Sequence, residues 1–308
     1  MDFRGKDFLT LQDFSFEEIN YMLEIASDLK KMYLRGESPE ILYGKTLAMI
    51  FEKSSTRTRV SFEVAMRQLG GQALFLGAKD LQLGRGETIP DTARTLSRYV
   101  DGIMARVYSH DDLLDLADFS QAPVINGLSD LFHPCQVLAD LLTIKEKKKN
   151  FENLKLSYVG DGNNVCNSLL IGCTKLGIDI SIGCPENYEP PEDVIDMATE
   201  NSKTFGSEVQ IVYDPLDAVL DADIIYTDTW VSMGDEAETS ERLRVFPVFQ
   251  VNQELLADAA RNVIVMHCLP AHRGQEITDD VMDGPYSVVW DQAENRLHAQ
   301  KAILTLLL

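Results

Sequence analysis

Short apolar, β-branched runs alternate with amphipathic stretches along almost the whole chain, and few folds accept that pattern. Runs of the first kind cover 46–52, 72–76, 101–106, 122–125, 155–159, 178–183, 208–212, 222–227 and 263–266. Stretches with helical spacing lie between them, over 58–69, 88–99, 135–148, 165–176, 191–204 and 252–260. A strand covered on both faces reads as a continuous apolar run, and a helix between two such runs is the crossover of a parallel pair. The expected class is therefore α/β, with two domains, each a parallel β-sheet flanked by helices. The solvated run Lys145-Glu146-Lys147-Lys148-Lys149-Asn150 is the expected break, giving a first domain over 1–149 and a second from 150.

Composition narrows the function classes. The 308 residues suit one large or two medium domains. No apolar run approaches the ~18 residues of a membrane span, so no membrane partner is expected. The first residues form neither a secretory h-region nor an Arg/Ser-rich transit pattern, so the expected location is cytoplasmic. With 28 basic and 49 acidic residues the net charge is −21, which argues against nucleic acid as a partner. The same field repels a free phosphate ester, so any anion site must be locally basic. The five cysteines are odd in number and form no C-x-x-C, which fits a reducing compartment and argues against a disulfide framework or a zinc site. Cys135, Cys166, Cys173 and Cys184 read as small core residues.

Two segments stand out chemically. Ser54-Ser55-Thr56-Arg57-Thr58-Arg59 follows the run Leu47–Phe51 and opens a helical stretch. Hydroxyls, guanidinium groups and a helix N-terminus at a strand end suit a phosphate. His267-Cys268-Leu269-Pro270 follows Val263–Met266, and open α/β sheets place ligands at such strand ends. Cys268 has His267 beside it and His272 nearby, so cysteine nucleophilic catalysis is compatible with the spacing. Arg106 closes one buried run and Asp228 closes another, which suggests an anion side and a cation side. His133-Pro134-Cys135-Gln136 stands where a strand passes into a helix; proline in a first helical turn is ordinary, and the histidine is at a ligand-binding position. Gly44-Lys45-Thr46 is no nucleotide P-loop, because it precedes its strand and Pro39 stands where the motif needs glycine. Gly160-Asp161-Gly162-Asn163-Asn164 is half a dinucleotide fingerprint: Val165 replaces the third glycine, and the next strand ends Ile182-Gly183-Cys184-Pro185 with no acid. Asn164 could instead offer its amide to a carboxylate. The stretch 229–248 lacks periodicity and reads as a mobile loop over a site or a plain surface connection.

Taken together, Ser55 to Arg59, His133 to Gln136, Gly160 to Asn164, Asp228-x-Trp-x-Ser-Met-Gly234, and His267 to Pro270 resemble the aspartate/ornithine carbamoyltransferases, in that family's order, and Glu294-Asn295-Arg296 extends the resemblance. The resemblance implies transfer of a carbamoyl group from carbamoyl phosphate to an amine, with no metal and no organic cofactor. It implies that Ser55, Thr56, Arg57 and Thr58 cradle the phosphate. Arg106, His133, Pro134, Cys135, Gln136 and Arg296 would hold the carbamoyl end. Cys268 and Leu269 would border both substrates, and Gln82 would reach into a neighbouring subunit's site. Asn164, Asp228, Ser232 and Met233 would hold the acceptor, and the Ser232-Met233-Gly234 pattern matches the branch that uses L-ornithine. Arg106, His133, Asp228 and Cys268 are the implied catalytic set. A homotrimer, or a multiple of trimers, with shared active sites is implied, as is a C-terminal helix near 290–308 belonging to the first domain and leaving 150–289 as the second. The competing readings are a dinucleotide-dependent oxidoreductase and a non-catalytic scaffold that binds carbamoyl phosphate.

Overall fold

The computed structural model describes residues 1–78, 81–82, 86–232 and 236–308, with the backbone alone at 236. It divides into two units, one of residues 1–142 with 295–308 and one of residues 143–294. In the first, α1 (Phe16–Leu34), β1 (Thr46–Phe51), α2 (Thr56–Gln68), β2 (Gln72–Gly77), α3 (Ile89–Leu96), β3 (Gly102–Arg106), α4 (His110–Phe119) and β4 (Val124–Leu128) lead to α5 (Pro134–Lys148), which runs on into the second unit. The four strands are parallel in the order β2-β1-β3-β4. Leu47, Ala48, Met49 and Ile50 of β1 are all buried, as a central strand flanked by helices requires. Ile50, Ala105, Leu113 and Val124 share one core cluster, and burying a side chain the size of Leu113 contributes about 1.5–3 kcal/mol.

The second unit runs through β5 (Lys155–Val159), α6 (Asn164–Lys175), β6 (Asp179–Gly183), α7 (Glu192–Phe205), β7 (Val209–Val212), α8 (Pro215–Val219), β8 (Ile224–Thr227), α9 (Thr239–Val245), α10 (Gln253–Leu256), β9 (Ile264–His267) and α11 (Asp279–Met282). α12 (Val289–Leu307) begins there and gives its residues from Asn295 to the first unit. The five strands are parallel in the order β7-β6-β5-β8-β9. Val159, Ile225, Val265 and Val289 meet in its core. Among the described residues no helix is long and apolar enough to cross a membrane.

Both sheets reverse direction of growth. β1 leads through α2 to β2 on one side, while β3 lies on its other side; β5 leads to β6 on one side, while β8 lies on its other. The crevice outside the carboxyl ends of strands at such a reversal is where open α/β sheets bind ligands. The two crevices therefore open at β1/β3 and at β5/β8.

All nine expected strands are present, with β4 displaced a few residues toward its C-terminus. One expectation is corrected. Within 229–248 only 229–232 are irregular among the described residues: from Glu236 on, the chain forms a 3-10 turn at Glu236–Glu238, α9, and a 3-10 segment at Phe246–Phe249. The cause is Arg242 of α9, whose buried guanidinium pairs with Asp161 Oδ2 at 2.7 Å and Glu238 Oε2 at 3.0 Å and donates to the Trp230 carbonyl at 2.9 Å. The rings of Tyr188 and Phe246 flank it.

In the first unit α12 packs on α1, with the His298 and Tyr33 rings 5.7 Å apart and the Lys301 ammonium 4.8 Å from the Tyr33 ring centre. Burial, with Lys301 and Lys30 adding to it, pushes the His298 pKa down to about 3. An unfolded histidine titrates near ~6.5. Between those values the unfolded chain takes up a proton that the folded one refuses, so stability is complete above ~6.5 and is lost as pH falls toward 3. At about 1.4 kcal/mol per pH unit, His298 alone removes about 2 kcal/mol between pH 7 and pH 5. His298→Gln should shrink the difference between unfolding free energies at those two pH values by that amount, as urea titrations would measure. An unchanged difference would show that another group carries the acid sensitivity.

Candidate active site

The first crevice is built around the start of α2. Ser55 leaves β1's path in an extended conformation and caps α2: its Oγ accepts from the Thr58 amide at 3.2 Å and donates to Thr58 Oγ1 at 3.1 Å. Thr58 Oγ1 also accepts from Arg296 Nη2 at 2.9 Å, Arg296 Nη1 donates to Gln136 Oε1 at 2.6 Å, and Gln136 Nε2 donates to Asp140 Oδ1 at 2.9 Å. α2, α5 and α12 are thus tied by one chain of buried polar groups. Asp140 ends it, and with both Nη atoms engaged the guanidinium is a fixed rather than a wandering donor.

Arg106 closes β3 in register with Phe51 of β1, so it lies beside the strand that feeds the α2 N-terminus. Arg106, His133 and Arg296 are buried, and Arg57 is half-buried. Burial, and then the guanidinium groups of Arg296, Arg106 and Arg57, hold the His133 pKa well below the ordinary imidazole range. His133 is therefore neutral at physiological pH and can donate one N–H to a carbonyl oxygen without adding charge. Three guanidinium groups within electrostatic reach of one imidazole make this a strongly basic place in a chain of net charge −21. Such a cluster suits a dianion.

The remaining expected residues of this half divide. Thr56 is exposed and Pro134 is the first residue of α5. Cys135 is fully buried, its thiol donates to the Asn126 carbonyl at 3.2 Å, and burial pushes its pKa up to about 12, so the thiol itself is spoken for. Gln82 is exposed beyond β2, and its carbonyl accepts from the Glu87 amide at 3.2 Å; it joins none of the contacts above. Lys53, which no motif in the sequence marks, is buried two residues past β1 with its ammonium 4.4 Å from the Tyr108 ring centre.

The second crevice centres on Asp228, just past β8. Its Oδ1 accepts from the Thr229 amide at 2.8 Å and from Cys268 Sγ at 2.9 Å, and its Oδ2 accepts from Asn163 Nδ2 at 2.9 Å. The Asn163 amide also reaches Ser232 Oγ at 3.4 Å. The turn that carries Asn163 needs two glycines. Gly160 has φ +149°, and a Cβ on Gly162 would fall 2.3 Å from the Pro190 nitrogen. Asn164, the residue singled out from the sequence, is the first residue of α6, half-buried, and its carbonyl accepts from Ser168 Oγ at 2.9 Å. Asn163 was legible only as a capping residue, since asparagine before a helical pattern is ordinary.

Cys268 sits where β9 ends. His267 Nδ1 accepts the Leu269 amide at 2.9 Å and its Nε2 lies 2.9 Å from Glu276 Oε1, so the proton is on Nε2 and aimed at the carboxylate. This holds Leu269, at φ +61°, in a backbone conformation that a branched side chain rarely adopts. Cys268 is half-exposed, while the other four cysteines are buried, as expected. Among the described residues Asp228, His267 and Cys268 bring metal-type ligand atoms within 4.8 Å of one another, but both His267 nitrogens are already engaged. The expected contribution of Met233 lies outside the described residues.

Comparison with known proteins bears on these two crevices. Residues 6–146 match the family described as aspartate/ornithine carbamoyltransferase, carbamoyl-P binding domain, and residues 152–307 match its Asp/Orn binding domain. An ornithine carbamoyltransferase of Pyrococcus horikoshii is 60% identical over 305 residues, 99% of this chain and 96% of that protein. One of Pyrococcus furiosus, named anabolic, is 60% identical over 304 residues, again 99% and 96%. The solved structure of the ornithine carbamoyltransferase from Pyrococcus furiosus superposes with a TM-score of 0.97 at 59% identity, covering 100% of this chain and 98% of that one.

Proposed function

The chain belongs to the aspartate/ornithine carbamoyltransferase family, and from that premise we propose that it transfers the carbamoyl group of carbamoyl phosphate to the δ-amine of L-ornithine, giving L-citrulline and phosphate. The observation that carries the reading is the division of charge. Three arginines converge on His133 in the first unit, and a carboxylate ringed by donors stands at the sheet reversal of the second. One suits a dianion and the other an amino acid's ammonium group.

In this reading Ser55, Thr56, Arg57 and Thr58 hold the phosphate, and Arg106, His133, Gln136 and Arg296 hold the carbamoyl oxygen. Asp228 takes the α-ammonium of ornithine, with Asn164, Ser232 and Met233 around it. The δ-amine, as its neutral form, attacks the carbonyl carbon. A C–N bond forms, the carbonyl oxygen gains charge, and neutral His133 with the arginines supplies donors where that charge develops. The C–O bond to phosphate then breaks, the electron pair leaves with phosphate, and the amine nitrogen gives up its proton to the departing phosphate. Cys268 and Leu269 line the path and form no covalent bond. Carbamoyl phosphate is already activated, so no metal or organic cofactor enters the steps.

β2 lies at the open edge of its sheet with Leu74 48% and Phe75 37% exposed, and exposed apolar side chains on an unpaired edge mark a place where another chain can bind. This supports a homotrimer or a multiple of trimers, with Gln82 entering a neighbour's site. Five free thiols fit a cytoplasmic enzyme. The name of the Pyrococcus furiosus relative favours the biosynthetic direction of arginine metabolism.

Incubating the protein with carbamoyl phosphate and L-ornithine, and in parallel with L-aspartate or putrescine, tests the reading. Citrulline should form with ornithine, while the parallel acceptors give little product. Carbamoyl-aspartate as the main product would place the chain in the other branch, and stabilisation by NAD with no carbamoyl transfer would favour an oxidoreductase.

A further inference from the structure

We propose that Asn163, one residue before the asparagine singled out from the sequence, is a positioning residue that fixes the Asp228 carboxylate and the Ser232 hydroxyl of the amino-acid half-site. The inference rests on the reading of Asp228 and Ser232 as acceptor-binding groups. Asn163 is the N-cap of α6: its Oδ1 accepts from the Val165 amide at 3.0 Å and the Cys166 amide at 3.1 Å, and Tyr158 Oη lies 3.3 Å away. Those donors give the side-chain amide one orientation, because the flipped form would set N–H against N–H. The Nδ2 end must then face Asp228 Oδ2 at 2.9 Å and Ser232 Oγ at 3.4 Å. A helix cap is thereby converted into a ruler. The backbone of α6 sets the Oδ1 position, the planar amide sets the Nδ2 position, and Nδ2 sets one carboxylate oxygen, while Thr229 and Cys268 hold the other.

The two jobs of the amide separate by substitution. Asn163→Asp keeps the cap, since aspartate caps as well as asparagine and its charge is favoured at a helix N-terminus. It replaces the donor facing Asp228 with a second anion, and like charges at that spacing disfavour the ionised pair. Ornithine KM should rise roughly tenfold or more, while carbamoyl phosphate affinity and the thermal midpoint stay near those of the parent. Asn163→Ser also keeps a capping oxygen but is too short to reach Asp228, and should shift KM in the same direction. If Asn163 served only as a cap, both variants would keep the parental ornithine KM, and that result would overturn the proposal.

A second readout needs no substrate. Cys268 Sγ donates to Asp228 Oδ1, and the other four cysteines are buried. The added carboxylate of Asn163→Asp makes thiolate formation at Cys268 harder, so iodoacetamide should label the Cys268 peptide roughly threefold more slowly than in the parent. If the parent makes no citrulline, the ornithine reading falls and the labelling rate alone decides: slower labelling supports the positioning role, and an unchanged rate overturns it.

Discussion

Arg57→Ala is expected to weaken carbamoyl phosphate binding by roughly ten- to hundredfold while leaving the protein folded, because a charge-assisted contact to a phosphate contributes about 1.5–3 kcal/mol. Two features support the size of the effect. The protein's net charge of −21 means that phosphate is attracted locally or not at all. Arg57 stands in the first turn of α2, where backbone N–H groups and the helix dipole also favour an anion, so its loss removes a charge from a place already organised for one. The fold should survive because the buried chain Thr58–Arg296–Gln136–Asp140 holds α2 and does not run through Arg57. Equilibrium binding of carbamoyl phosphate to parent and variant, with thermal midpoints as the control for folding, measures the effect. A dissociation constant equal to the parent's would remove Arg57 from the phosphate site.

Asp228→Asn is expected to lower kcat/KM for ornithine by two to three orders of magnitude and to leave carbamoyl phosphate binding intact. Truncating one side of a buried, hydrogen-bonded charge pair costs about 2–5 kcal/mol. The substitution is nearly isosteric, but it fails electrically. Three donors converge on Asp228 in the parent: the Thr229 amide, the Cys268 thiol and the Asn163 amide. An asparagine amide nitrogen must face at least one of them as a second donor, and the negative charge that would meet the ornithine ammonium is gone. Steady-state kinetics with each substrate varied separately distinguish the outcomes. A defect confined to carbamoyl phosphate would reverse the assignment of the two crevices.

How much could be read in advance differs between the two crevices. Ser55, Arg57, Thr58, Arg106 and His133 stood at the ends of apolar runs, where any parallel sheet exposes its ligand-binding residues, and the structure brings Arg57, Arg106 and Arg296 within electrostatic reach of His133. Gln136 and Arg296 were named from resemblance, and the contacts of Arg296 with Thr58 and with Gln136 join residues that no local pattern connects. In the second half Asp228 and Cys268 were legible as strand ends, whereas Asn163 and Asn164 were two adjacent amides with nothing local to separate them. Arg242 was illegible for a different reason. A charged residue on a short helix is ordinarily solvated, and its pairing with Asp161 depends on a residue far back in the chain.

By itself the sequence determined what local physics controls: nine strands, because β-branched apolar runs bury on both faces; most crossover helices, because their apolar residues recur at helical spacing; and the chemistry at the strand ends. The order of the strands was decided only by the tertiary structure. A crossover can return to either side of its strand, so the same elements could have placed β3 or β8 elsewhere, and the reversals at β1/β3 and β5/β8 that open the two crevices would not exist. The tertiary structure also decided which of two neighbouring asparagines faces Asp228, because the first turn of α6 claims one end of the Asn163 amide and leaves the other pointing at the carboxylate.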